Sequence, residues 1–191
     1  PKERVLHLDL RQSDESRALR HVFFAERMVS KPAIIRGVTV RDIQKIAIVG
    51  GGLMGSGIAT ACLNSGYEAC IIERDTIAVS KARETVEARL KDALSRKKIT
   101  NTQFADRCAS LITSEQYECA SDADVAIEAV FEDIDAKRDV FAKLSKVMRA
   151  DAVLASNTSY LNPDDIFSGI ENPERCIGIH FFSPAHVMKL V

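Results

Sequence analysis

The sequence predicts an α/β fold, a doubly wound, mostly parallel sheet with helices on both faces, preceded by an N-terminal helical arm. Three observations predict it. An apolar run, Ile46-Ala47-Ile48-Val49, breaks off at Gly50-Gly51-Gly52 and gives way to a helical pattern, as a strand buried on both faces does when it feeds a helix. From Ile43 onward strand-like and helix-like segments alternate, and repeated βα units join parallel strands through right-handed crossovers. Residues 1–42, by contrast, are charged and carry a helical stripe with no strand after it.

Composition fits this fold and excludes other classes. A chain of 191 residues suits one domain of ordinary size plus an appendage. With 46% hydrophobic residues, 28% charged residues and a net charge of -1, it lacks the basic excess of a nucleic-acid binder. No apolar run reaches the length of a membrane span. The cysteines Cys62, Cys70, Cys108, Cys119 and Cys176 are scattered, without CxxC or zinc spacing. Free thiols in a reducing compartment are therefore expected, the bacterial cytoplasm first, with the peroxisome or mitochondrial matrix as alternatives. The chain opens at Pro1 with neither an initiator methionine nor a signal peptide, so a segment of a longer protein is expected.

In the arm, residues 1–42, one helix is expected over about Asp14 to Val29, capped by Ser13 or Asp14, with Leu19, Val22, Phe23 and Met28 along one stripe. That stripe either lies across this domain or belongs to a connector whose main partner is elsewhere. Lys31-Pro32 should close the helix. His7 and His21 read as surface residues, because no carboxylate, cysteine or second histidine is spaced with them as a metal set would need.

Residues 43–191 form the α/β domain. The first helix, about Leu53 to Asn64, ends at Gly66, a natural left-handed cap. Strand Tyr67–Ile72 follows, then a long helix from Thr76 to Lys97 with Ile77, Val86, Leu90 and Leu94 on one face. Short segments surround Phe104 and Leu111-Ile112-Thr113. A strand at Val125–Glu128 precedes a helix to about Arg149 with Val140, Phe141, Leu144 and Met148 inward. Strand Val153–Ser156, a short helix from Asn162 and a last strand from Cys176 to His180 complete the domain.

The chemistry gathers where these strands end. Gly50, Gly52 and Gly55 have GxGxxG spacing: the first for a tight turn, the second for close approach of a pyrophosphate, the third for packing of helix on strand. Uncapped amides at the helix start then face phosphates, helped by the helix dipole. In a Rossmann-type fold Glu73, ending the second strand, accepts hydrogen bonds from a ribose diol and repels a 2'-phosphate, favouring NAD over NADP. Arg74 next to it works against that preference. Glu132 and Lys137 follow another strand end and are either cofactor contacts or a solvated pair. The basic end Arg96-Lys97-Lys98 is either a solvated helix terminus or a phosphate contact. Asn157-Thr158-Ser159 lies at the same sheet edge. His180 sits where the last strand becomes a loop, and oxidising an alcohol by hydride loss needs a base of near-neutral pKa there. His186 has no such position and reads as a surface residue.

Four segments in order, Val49-Gly50-Gly51-Gly52-Leu53-Met54-Gly55, Glu128-Ala129-Val130-Phe131-Glu132-Asp133, Ser156-Asn157-Thr158-Ser159 and His180-Phe181-Phe182-Ser183-Pro184, resemble the NAD-dependent 3-hydroxyacyl-CoA dehydrogenases of fatty acid β-oxidation. The arm from Glu15 to Arg27 resembles the connector that joins an enoyl-CoA hydratase/isomerase half to the dehydrogenase half in multifunctional enzymes.

The resemblance implies that His180 takes the 3-hydroxyl proton while Ser159 hydrogen-bonds the reacting oxygen near the nicotinamide. It places NAD against the glycine turn with Leu53 and Met54, and against Glu73, Phe131, Glu132, Asp133 and Lys137. Ser183 stands where the family often has asparagine, and Arg96 lies near where some relatives meet CoA phosphates. The implied partners are an acyl-CoA substrate, a hydratase/isomerase half and a C-terminal helical domain of the same parent chain. In the family a glutamate shortly after the histidine orients it, and this sequence stops at Val191 before that position. The piece is therefore expected to bind NAD but to turn over little. Alternatives are a dehydrogenase of free 3-hydroxy acids and a noncatalytic NAD-binding or interdomain module.

Overall fold

The computed structural model describes residues 2–29, 32, 35–188 and 190–191. Two compact units divide it, Pro1–Asp42 and Ile43–Val191.

The first unit holds α1 (Lys2–Gln12) and α2 (Asp14–Val29), and neither helix buries a residue. Sequence reasoning finds α2 and misses α1. Leu6, Leu8 and Leu10 alternate with polar residues at a period of two, which masks the helical spacing of Leu6 with Leu10 and of Val5 with Leu8. Ser13 caps α2 by accepting from the Ser16 amide at 3.2 Å. The expected stop at Lys31-Pro32 includes Lys31, which lies outside the described residues.

In the second unit, six strands form one sheet. They are β1 (Lys45–Val49), β2 (Glu68–Ile72), β3 (Leu111–Ser114), β4 (Val125–Glu128), β5 (Val153–Ser156) and β6 (Cys176–Gly178), with α3 (Leu53–Asn64), α4 (Thr76–Ser95), α5 (Asn101–Ala109), α6 (Ile134–Val147) and α7 (Pro163–Ile166) between them. The order is β3-β2-β1-β4-β5-β6, every pair parallel. The chain reverses its direction of winding between β1 and β4, where a crevice opens at the carboxyl ends of the strands. Register brings those ends level: Val49 pairs with Ile72 and Glu128, and Glu128 with Ser156.

Alternate strand residues enter opposite cores, as the period of two requires. Ile46, Ile48 and Ile71 pack with Ile58, Leu63, Val86 and Leu90 on one side. Ala47, Val49, Cys70 and Ile72 pack with Phe141, Leu144 and Leu154 on the other.

Three local expectations change. Ile77 is 82% exposed, and Ala82 joins the expected Val86 and Leu90 on the inward face of α4. The segment around Phe104 is the helix α5, held by a capping box between Thr100 and Gln103, a T-x-x-Q signal legible in the sequence. Cys70 and Cys119 form a disulfide, which overturns the expectation of five free thiols. Cys70 points from mid-strand β2 into the core face on which the 3-10 segment Tyr117–Ala120 packs, so the fold brings together cysteines 49 residues apart.

Candidate functional site

Three glycines shape the turn after β1. Gly50 has φ +96°, and a Cβ there would lie 2.8 Å from the Ala129 carbonyl oxygen, so both the turn and its neighbour exclude a side chain. A Cβ on Gly55 would lie 1.7 Å from the Gly50 carbonyl oxygen, which lets α3 start directly against the turn. At Gly52 a Cβ would meet nothing within 4 Å. Gly52 is also the N-cap of α3 and supplies no side-chain cap, so the first amides of that 12-residue helix face open space. Bare amides, the positive end of a helix dipole and room in front of them fit the diphosphate of a dinucleotide. Glu73 stands beside this turn, accepting from the Gly51 amide at 2.7 Å and from the Arg74 amide at 3.0 Å. Arg74 itself pairs with Asp75 at 3.0 Å.

The second half of the site is built on β4, β5 and α6. Glu128, ending β4, is fully buried, and Lys137 in the first turns of α6 is 1% exposed. Lys137 Nζ lies 2.7 Å from Glu128 Oε1 and 3.2 Å from Glu132 Oε2. Glu128 accepts in addition from Ser156 Oγ at 2.7 Å and from the Val130 amide at 2.8 Å. Glu132 Oε1 accepts from the Thr158 hydroxyl and, at 2.9 Å, from the Ser159 amide. Burial alone raises the Glu132 pKa, but the Thr158 hydroxyl, the Ser159 amide and Lys137 together outweigh it and hold the carboxyl at about 2.

Ser159 Oγ and His180 Nε2 are 3.1 Å apart. His180 has a backbone anchor on each side: the Ile179 amide donates to Ser156 O at 2.9 Å, and the Phe181 amide donates to Asn157 Oδ1 at 2.9 Å. Phe182 packs edge-on to the imidazole with centroids 5.0 Å apart. The loop beyond crosses α3, where a Cβ on Gly57 would come within 3.3 Å of Ala185.

The fold thus brings Glu132, Lys137, Ser159 and His180 into one cluster and Glu73 to the glycine turn. Leu53 is exposed at the start of α3, Met54 packs partly against the core, and Phe131 is 81% exposed after β4. Asp133 caps α6 through the Ala136 amide at 2.8 Å. Ser183 is exposed ahead of Pro184, to which it is joined by a cis peptide. Arg96 is not brought in: it pairs with Asp92 at the far end of α4, a 20-residue helix that spans about 30 Å. The solvated-pair alternative for Glu132 and Lys137 fails, because Lys137 is buried. His186 is half-buried rather than superficial; its Nδ1 is shielded without a hydrogen-bond partner, and burial, then the Arg89 charge, lower its pKa. Sequence reading assigned no role to Glu128, Ser156 or Thr158. The available signal was a carboxylate inside the apolar run Val125–Val130, which must be paired if that run is buried.

Among the described residues, no group of three or more His, Cys, Asp or Glu side chains could hold a metal ion, and no helix is long and apolar enough to cross a membrane. Fold and site together define a Rossmann-type dinucleotide-binding domain with a serine-histidine pair at the carboxyl edge of its sheet. The chain belongs to the family described as 3-hydroxyacyl-CoA dehydrogenase, NAD binding domain, whose profile matches residues 45–191. NAD is the cofactor of this family's domain. Among its relatives, a peroxisomal fatty acid beta-oxidation multifunctional protein of Arabidopsis thaliana is 40% identical over 193 residues, covering 100% of this chain and 27% of that protein. The peroxisomal bifunctional enzyme of Homo sapiens is 36% identical over 195 residues, again covering 100% of this chain and 27% of the relative. In structure the chain resembles 3-hydroxybutyryl-CoA dehydrogenase of Escherichia coli K12, with a TM-score of 0.75 and 34% identity over 78% of this chain and 32% of that one. The chain therefore spans about a quarter of the length of the curated relatives it matches.

Proposed function

We propose that this domain serves a dehydrogenase that oxidises (S)-3-hydroxyacyl-CoA to 3-oxoacyl-CoA in fatty acid β-oxidation. The observation that carries the reading is the 3.1 Å approach of Ser159 Oγ to His180 Nε2 at the edge onto which the glycine turn opens. His180 Nε2 takes the proton of the 3-hydroxyl group, and Ser159 Oγ hydrogen-bonds the same oxygen as it becomes a carbonyl. When bound, NAD would supply the acceptor for the hydride that leaves substrate C3.

The amides after Gly52 hold its diphosphate, and Gly50 and Gly55 keep that approach clear. Glu73, already turned to the loop, takes the ribose hydroxyls. Leu53, Met54, Phe131, Asp133 and Ser183 would meet the rest of the cofactor, while Glu132 holds the backbone of Ser159 and Lys137 stands behind it. Residues 1–42 act as the connector to a hydratase/isomerase half, residues 43–191 as the NAD domain, and a further helical domain of the parent chain shapes the acyl pocket. The Arabidopsis thaliana and Homo sapiens relatives, which match the whole of this chain, are peroxisomal proteins, and this favours the peroxisome over a bacterial cytoplasm.

His180→Ala in the full-length parent tests the reading. Turnover of acetoacetyl-CoA with NADH should fall by about a hundredfold or more while NADH affinity is retained. Unchanged turnover would instead favour a noncatalytic NAD-binding module.

A further inference from the structure

We propose that Glu128 is the positioning residue of this site, acting through Lys137 and Glu132 on the Ser159–His180 pair. The proposal rests on the dehydrogenase reading above and adds to it a residue that touches neither substrate nor cofactor.

The carboxylate of Glu128 is fully buried at the point where β4, β5 and α6 meet. It holds one group from each: the Val130 amide just past β4 at 2.8 Å, Ser156 Oγ of β5 at 2.7 Å and Lys137 Nζ of α6 at 2.7 Å. Burying an ion pair rarely adds stability over an apolar pair of the same volume, so this arrangement is better read as fixing geometry. The geometry it fixes is that of Lys137. With one side of its ammonium on Glu128, Lys137 reaches Glu132 through Oε2 at 3.2 Å and leaves Oε1 to take the Ser159 amide at 2.9 Å and the Thr158 hydroxyl. Ser156 matters twice, since its side chain binds Glu128 and its carbonyl accepts from the Ile179 amide, next to His180. Without the Glu128 charge, Lys137 keeps only Glu132 as an ion-pair partner among the described residues. That carboxylate would then rotate toward the ammonium and release the Ser159 backbone.

The test is a double-mutant cycle in the full-length parent, with thioester reduction by NADH as readout. Glu128→Gln should lower kcat about tenfold or more while KM for NADH changes less than about threefold. Combined with Ser159→Ala, it should lose clearly less than the product of the two single losses, because both changes remove the Ser159 contribution. A merely structural role would make the two losses multiply, and that outcome overturns the proposal, as does a Glu128→Gln kcat within about twofold of wild type. Should Glu128→Gln fail to fold, Ser156→Ala replaces it: a smaller loss, again partly absorbed by Ser159→Ala, supports the proposal, and multiplying losses overturn it. A wild-type parent with no NAD-linked activity on 3-hydroxyacyl-CoA overturns the functional reading and this proposal together. An active parent that loses turnover with His180→Ala but not with Glu128→Gln overturns the proposal alone.

Discussion

Ser159 and His180, 21 residues apart in sequence, face each other at 3.1 Å because β5 and β6 pair side by side and end at the same edge. Ser159 is held from behind by Glu132, and His180 is held on both flanks by Ser156 and Asn157. Ser159→Ala in the full-length parent should lower kcat by about a hundred- to a thousandfold, the range for losing one hydrogen bond to a developing oxyanion. Steady-state kinetics with saturating NADH read this directly, and a change confined to KM would show that Ser159 binds substrate without assisting the step.

Two glycines should respond differently to the same substitution. Gly55→Ala drives a methyl into the Gly50 carbonyl, at 1.7 Å, so the start of α3 must shift and the melting temperature should fall by several degrees. Gly52→Ala meets nothing within 4 Å and should fold normally. Its methyl occupies the room a diphosphate needs, so NADH affinity should drop about tenfold or more. Thermal melts and calorimetric titration of both variants check the contrast.

Glu132 makes stability depend on pH. Its carboxyl is lowered from 4.5 to about 2, so the folded state favours the charged form. The stabilisation is complete above 4.5 and is lost as pH falls through about 2. Urea denaturation of wild type and Glu132→Gln should therefore differ most near neutral pH and converge in acid. A gap that widens on acidification would contradict the assigned direction.

The Cys70–Cys119 bridge closes a loop across 49 residues of sequence. A loop of this size stabilises by about 2–4 kcal/mol through the unfolded chain. Reduction with dithiothreitol should lower the melting temperature measurably, and Cys119→Ser should show the same lowered value in either buffer. Non-reducing peptide mapping identifies the bridge itself.

Much of this was legible in the sequence, and the reasons are physical. The βα alternation, the glycine spacing and helices such as α3 and α6 all follow from local periodicity and turn chemistry. The inward set Val140, Phe141, Leu144 and Met148 is buried in the structure. What escaped depends on distant partners. Lys137 read as either a cofactor contact or half of a solvated pair with Glu132, because nothing local shows that Glu128 joins Glu132 in burying it. His186 looked superficial, although the chain beyond Pro184 folds back against α3. The helix α5 was different: its capping box was on view, but its apolar content was too slight to draw notice.

The central claim is that the amides following Gly52 hold a diphosphate while the nicotinamide reaches His180. A crystal structure of the chain with NADH tests it most directly. The account predicts the diphosphate at the N-terminus of α3, in front of Gly52, and the nicotinamide ring beside Ser159 and His180. A diphosphate bound elsewhere, or a ring turned away from that pair, would contradict it.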